Sequence, residues 1–153
     1  MNYFKTLLVI TALGSITGCS KNNSTPVQPL DVEKNLQSAS WQMTIFTIAP
    51  ALNGVTDVLL NMPSCSKDNL LQFKANGVFY LDEGASKCNA SDAQTDQGVW
   101  NYDSAIKQLT YSSPRLGAFV IDVKDATAGT ISGTRSIIIN GANYTFSGTL
   151  TKQ

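Results

Sequence analysis

The sequence predicts an all-β chain that closes into an up-and-down antiparallel β-barrel of about eight strands. Three observations carry this reading. Strand-length segments follow one another from Trp41 onward, short turn signals separate them, and no convincing long helical period appears after residue 60. Consecutive hairpins build a meander with two raw edges, and closure is the simplest way to remove both. A two-sheet sandwich is the rival architecture, but it usually needs longer crossover connections than this chain shows.

Taken in order, residues 41–48, from Trp41 to Ile48, alternate large apolar and polar side chains and open the domain. Residues 49–64 form a longer connection containing Pro50, Asn53-Gly54 and Pro63; within it Val55 to Leu60 suits a short helix or an edge strand equally. Leu70 to Lys74 and Val78 to Asp82 flank Asn76-Gly77, the strongest short-range hairpin signal. Gly98 to Tyr102 and Ile106 to Tyr111 flank Asp103-Ser104, a second hairpin. Ala118 to Lys124 meets Thr130 to Ile139 across a turn ending in Gly129, and Asn140-Gly141 leads into Tyr144 to Leu150. The barrel domain is thus expected over 39–153. Before it, residues 19–38 are polar and punctuated by Pro26 and Pro29, and read as a flexible tether. Leu30 to Leu36 has the composition of a helical turn opened by Asp31, on which nothing else depends.

The first eighteen residues read as a targeting segment. Lys5 gives a positive n-region, Thr6 to Leu13 an apolar run too short for a permanent span, and Gly14, Ser15, Thr17 and Gly18 small residues before Cys19. An uncut N-terminal anchor is the alternative. Ile16-Thr17-Gly18-Cys19 resembles the lipobox of bacterial lipoproteins. The resemblance implies removal of residues 1–18 as signal peptide and lipid on both the sulfur and the new amino group of Cys19, an anchor stable because it carries two or more acyl chains. Ser20, where an aspartate would suggest inner-membrane retention, favours the outer membrane. The following Lys21-Asn-Asn-Ser-Thr25 has none of the acidic residues that direct surface export in relatives from the Bacteroidetes. Which face of the membrane the domain meets is left open.

Without the leader, roughly 135 residues remain, enough for one domain with its own core. Basic and acidic residues nearly balance, which argues against nucleic acid, and no Lys/Arg run suggests a polybasic membrane surface. The chain holds 3 cysteines, an odd number. With Cys19 taken by lipid, as the lipobox implies, Cys65 and Cys88 are left to pair in an oxidising compartment. A metal site is the competing reading, and a poor one, because two distant cysteines without histidine supply no closed ligand set.

From Trp41 to the end the chain resembles the lipocalin-like domains of Bacteroidetes lipoproteins. The resemblance rests on Trp41 heading the first strand, Cys65-Ser-Lys-Asp-Asn69 before the Phe73 strand, Asn76-Gly77, and Cys88 before Gly98-Val-Trp100. It implies a barrel of the small calycin kind, whose members hold apolar ligands, and implies fold more than activity. Asp103-Ser104-Ala105 resembles the O-glycosylation triplet of exported Bacteroidetes proteins and falls in an expected turn.

Chemistry is limited by composition. There is no histidine, which removes the usual general base and His-activated nucleophiles, and the only glutamates are Glu33 and Glu83. Asp82-Glu83 beside Gly84 is expected to be a solvated strand end rather than a catalytic pair, and Asp92 to Asp96 a polar turn rather than a calcium loop. No catalytic residue, cofactor or metal is expected. Arg135 is the most informative residue: Ile131, Gly133, Arg135, Ile137 and Ile139 share one parity of their strand, which places an arginine on the apolar, inward side. There it could grip the carboxylate of a fatty acid, unless a bulge near Gly133 turns it outward or an aspartate pairs with it structurally. Trp100 with Tyr102, Phe119 with Ile121 and Val123, and Tyr144 with Phe146 also share parities, and core packing is their expected role. The functional expectation is a non-enzymatic, lipid-anchored barrel binding a small apolar or amphipathic molecule. The alternative is a protein-interaction module, an inhibitor or an accessory of an envelope complex, with a filled barrel.

Overall fold

A computed structural model describes residues 29–153. Among these, the strands are β1 (Ser40–Leu52), β2 (Val55–Asp57), β3 (Leu70–Phe73), β4 (Val78–Asp82), β5 (Thr95–Asp103), β6 (Gln108–Ser113), β7 (Gly117–Ala126), β8 (Thr130–Ile139) and β9 (Ala142–Lys152). Three short helices accompany them: α1 (Val32–Gln37), α2 (Val58–Asn61) and α3 (Ser64–Lys67). β1 pairs with β3 on one side and β9 on the other, so the meander closes into a small antiparallel barrel of eight strands, consistent with a calycin-like fold. β2 is an extra short strand folded back on the far end of β1.

The turns follow from local chemistry. Asn53-Gly54 and Asn140-Gly141 each place both residues at positive φ, as a two-residue hairpin of the favoured twist requires. Asn76-Gly77, also both at positive φ, ends a 3-10 turn over Ala75–Gly77 closed by the Lys74 N–H on the carbonyl of Val78 (2.8 Å). The β5–β6 hairpin has a longer loop than the dipeptide Asp103-Ser104 suggests. The Asp103 carboxylate accepts from the N–H of Ala105 (2.9 Å) and of Ile106 (3.3 Å), and Lys107 takes φ 54°. Ile106, expected to begin a strand, is therefore an exposed turn residue. Val55 to Leu60 is neither helix nor strand alone. β2 runs straight into α2, whose first turn is capped by the Asp57 carboxylate accepting from the N–H of Leu60 (2.8 Å).

A β-bulge corrects the parity of β1. The β1–β9 register shifts between Met43 and Ile45, so the apolar set passes from Trp41 and Met43 to Phe46 and Ile48 without leaving the interior face. Ile45 is turned out and is 50% exposed. Inside, Phe73 packs against Phe79, Trp100 and Tyr111 with ring centroids 5.3–5.7 Å apart. Both indoles are satisfied: Trp41 donates to the carbonyl of Leu36 (2.9 Å) and Trp100 to that of Lys74 (2.8 Å).

The tether assigned to 19–38 requires correction at its C-terminal end; its residues before 29, and Cys19 with them, lie outside the described residues. Residues 32–37 form α1, capped by the Asp31 carboxylate on the N–H of Lys34. Leu36 is wholly buried against the closed end of the barrel, and Asn35 donates to the carbonyl of Thr127 (2.8 Å) in the β7–β8 turn. A polar, proline-flanked stretch reads as linker because the two apolar side chains that dock it, Val32 and Leu36, are too few to stand out in composition. At the opposite end, Cys65 in α3 is bonded to Cys88 in the β4–β5 loop, 23 residues on, as expected.

Two stability measurements check this arrangement. Leu36→Ala should lower the unfolding free energy by about 2–5 kcal/mol, read from the urea midpoint with an unchanged slope. Replacing Cys65 and Cys88 together by serine should cost about 3 kcal/mol while leaving the β-type circular dichroism intact.

Candidate functional site

The barrel is capped by α1 at one end and parted at the other. β7 and β8 pair from Asp122–Thr134 down to Ala126–Ile131, but no ladder joins Gly117–Ile121 to Arg135–Ile139. Over that length β7 pairs only with β6, and β8 only with β9. Gly133 sits where the strands begin to part. A Cβ there would lie 2.4 Å from the Ile121 side chain and 2.6 Å from the Asp122 carbonyl oxygen, so only glycine lets the two strands cross this closely. The parting opens a cavity of about 310 Å³, walled chiefly by Met43, Phe46, Phe119, Ile121, Ile137 and Phe146.

Arg135 stands at the lip of this cavity. Its cross-strand partner is Phe146, so it lies on the same face as Ile131 and Gly133, without a bulge between β8 and β9. It is not buried: its side chain is 44% exposed, with Nη1 4.0 Å from Asp122 Oδ1. Asp122 itself accepts from Gln108 (2.9 Å). The aspartate pairing considered from the sequence is present in this loose, solvent-screened form, which leaves most of the guanidinium's donors directed elsewhere.

Aromatic side chains lead from the lip inward. Phe46 lies 5.6 Å from Phe146 and 6.5 Å from Phe119, and Phe119 stacks on Tyr111 at 5.4 Å. Phe119 and Ile121 pack against the core, as expected of them, and with Phe146 they also line the cavity; Trp100 and Val123, nearer the closed end, are core. The reason is the parting of β7 from β8, which strand parity alone does not register. Beyond Met43, Phe46 and Phe119 lies a smaller cavity of about 70 Å³ beneath α3, reached also by Asn69, Leu116 and Tyr111. Tyr111 is 2% exposed; among the described residues neither its hydroxyl nor Asn69 Oδ1 has a hydrogen-bond partner. Burial alone pushes the Tyr111 phenol well above its ordinary range, so it stays protonated and able to donate.

The Asp82-Glu83 strand end is not the solvated pair expected. Glu83 is 6% exposed and ion-paired with Arg115, from the β6–β7 loop, through Oε1. Arg115 also donates to the carbonyl of Ala93 (3.1 Å) and approaches Asp92 (3.9 Å) and Asp96 (3.8 Å). The polar turn at Asp92 to Asp96 is thus folded around an arginine. Glu83 faces inward because Arg115 meets it there, and a partner 32 residues downstream cannot be read from an acidic pair beside a glycine. Burial raises the Asp96 carboxyl, but hydrogen bonds from Ser113 and the Arg115 N–H, with the arginine's charge, outweigh it and hold the group below its ordinary value. No cluster of three metal-ligating side chains occurs among the described residues, and no helix there is long and apolar enough to cross a membrane.

The structure brings Arg135 to the cavity, joins Cys65 to Cys88 far from it in sequence, and adds Tyr111, Asn69 and Arg115, which the sequence did not single out. Tyr111 had a usable signal, since it shares strand parity with buried Leu109. Asn69 and Arg115 had none beyond residue type. Comparison with protein-family models and with curated proteins gives no match for this chain.

The Asp96 carboxyl fixes a pH dependence. Its folded value lies below the ordinary 3.8, so the stability it contributes is complete above that pH and drains away as pH falls through the folded value. Asp96→Asn should therefore flatten the acid limb of a plot of unfolding midpoint against pH between about pH 5 and 2, leaving the neutral-to-alkaline portion parallel to wild type.

Proposed function

We propose that this chain is a lipid-anchored envelope protein, held through Cys19 at the outer membrane, whose barrel binds an amphipathic carboxylate. The apolar part of the ligand enters between β7 and β8, and Arg135 receives its head group. The observation that carries this reading is an apolar cavity with a half-exposed arginine at its lip. Apolar walls supply affinity without direction, and a fork of N–H donors at one end supplies orientation. At about 310 Å³ the cavity lies at the lower end of small-molecule sites, which suits a medium-chain acyl group. Nothing in the reading requires bond-making chemistry: the buried carboxylate Glu83 is engaged by Arg115 at the rim of the parted end, and no base is placed against the cavity wall. The lipid anchor and the lipocalin-like kinship of the domain belong to the same proposal and rest on the sequence features given above.

A protein-interaction module is the second reading. It is favoured by the unpaired edges of β7 and β8 and by Ile138, which is 76% exposed beside them. A strand added there would close the cleft that a small ligand would otherwise enter.

Decanoic acid should bind the purified protein saturably, as followed by calorimetry and by native mass spectrometry. Arg135→Ala should weaken it about tenfold with no change in thermal midpoint, and Arg135→Lys by less, because a lysine keeps the charge but loses the fork. Wild-type protein that takes up no medium-chain acid at any accessible concentration would remove the proposal and leave the interaction module.

A further inference from the structure

Resting on that reading, we infer that the ligand carries a second polar group, a hydroxyl remote from its carboxylate, which seats in the small cavity beneath α3. Three features converge there. The two cavities adjoin, sharing Met43, Phe46 and Phe119 in their walls, so a chain lying along the larger one points into the smaller. The dividing side chains are an unbranched methionine and two phenylalanines, whose rotamers can yield without breaking any hydrogen bond. The small cavity is mainly apolar; of its polar neighbours Ser66 is engaged with Cys88 Sγ and Lys67 with the carbonyl of Leu60, whereas Tyr111 has a buried, unpartnered hydroxyl and Asn69 a buried, unpartnered amide oxygen.

The two orphan atoms differ in kind. Asn69 Oδ1 can only accept, whereas the Tyr111 hydroxyl can donate. A methyl terminus would leave both desolvated and unpaired, and a carbonyl would satisfy Tyr111 alone. A hydroxyl accepts from Tyr111 and donates to Asn69, so one small group answers both. A buried polar group left unpaired costs more than an ordinary hydrogen bond returns, which makes this pair of atoms a selectivity device. The cleft therefore has a charged end that reads the carboxylate and a neutral polar end that reads the far part of the chain. The chemical class that fits is an ω- or near-ω-hydroxylated medium-chain acid.

The test compares decanoic with ω-hydroxydecanoic acid, together with the octanoic and dodecanoic pairs to match length, on the purified protein and on Tyr111→Phe. Tyr111→Phe removes only an unpartnered hydroxyl, so it should fold with at least wild-type stability and keep its affinity for the plain acids. Wild type should favour the hydroxylated member of one pair by about tenfold, and Tyr111→Phe should erase most of that preference. Equal affinities within every pair, with plain acids still bound, would show that the small cavity takes only water; the inference falls and the cleft reading stands. A preference that survives in Tyr111→Phe also overturns it, because the hydroxyl is then read elsewhere. If no acid of either kind binds, the cleft reading fails and takes the inference with it.

Discussion

Everything in this molecule depends on the β1–β9 ladder, which runs from Trp41–Lys152 to Ala49–Thr145 and turns a meander into a ring. A ring removes the two raw edges that an open sheet of this length would present. It also sets a geometric constraint: strands around a closed barrel tilt and shear together, so extra length in one pair of neighbours must be absorbed elsewhere. Here β1, β7, β8 and β9 run long while β3, β4 and β6 are short. The excess is carried as a ribbon of β2, β1, β9 and β8 that continues past the point where β7 turns away. The cleft opens between two strands of equal length, 10 residues each, because past the Asp122–Thr134 pair β7 follows β6 alone and β8 follows β9 alone.

A barrel opened in this way forgoes burial, and the structure compensates at both ends. At the closed end α1 lays Leu36 against the core and ties itself to the β7–β8 turn through Asn35. At the parted end the disulfide fastens α3 to the β4–β5 loop, and Arg115 draws together the β4–β5 and β6–β7 loops through Glu83, Asp92 and Asp96. α2 and α3 fill the gap left where β1 pairs with β3 only over Ser40–Gln42. Of the two places where neighbouring strands part, one is thus roofed and the other left open, and the cavities lie between them. The chain has two arginines, and each serves this end: Arg115 holds loops together, and Arg135 stands at the mouth.

Much of the fold was legible because hairpin chemistry is local. Three Asn-Gly pairs marked three turns with their positive φ values, and alternation marked the strands between them. Less legible were elements whose placement rests on a distant partner. The helical turn opened by Asp31 was legible, but its docking was not, because Leu36 and Val32 meet a barrel end assembled from strands far along the chain. Glu83 looked solvated for the same reason. The alternation read over Trp41 to Ile48 breaks at the bulge around Thr44, which turns Ile45 outward and Phe46 inward; a register shift against β9 cannot be read from β1 alone.

The candidate site divides along the same line. By itself the sequence determined that Arg135 shares a face with Ile131 and Gly133, because a strand's period of two is a property of the backbone, and it offered Cys65 and Cys88 as the pair that the structure joins. It could not determine that the face opens on a cavity, because a cavity is the difference between what several strands enclose and what their side chains fill. Tertiary structure alone decided that β7 leaves β8 at Gly133, that Phe119 and Phe146 stand apart enough to leave room, and that Tyr111 and Asn69, which border the small cavity, bury polar atoms without a partner among the described residues. Those outcomes depend on how the ring closes, and closure is a sum over all strands that no single segment encodes.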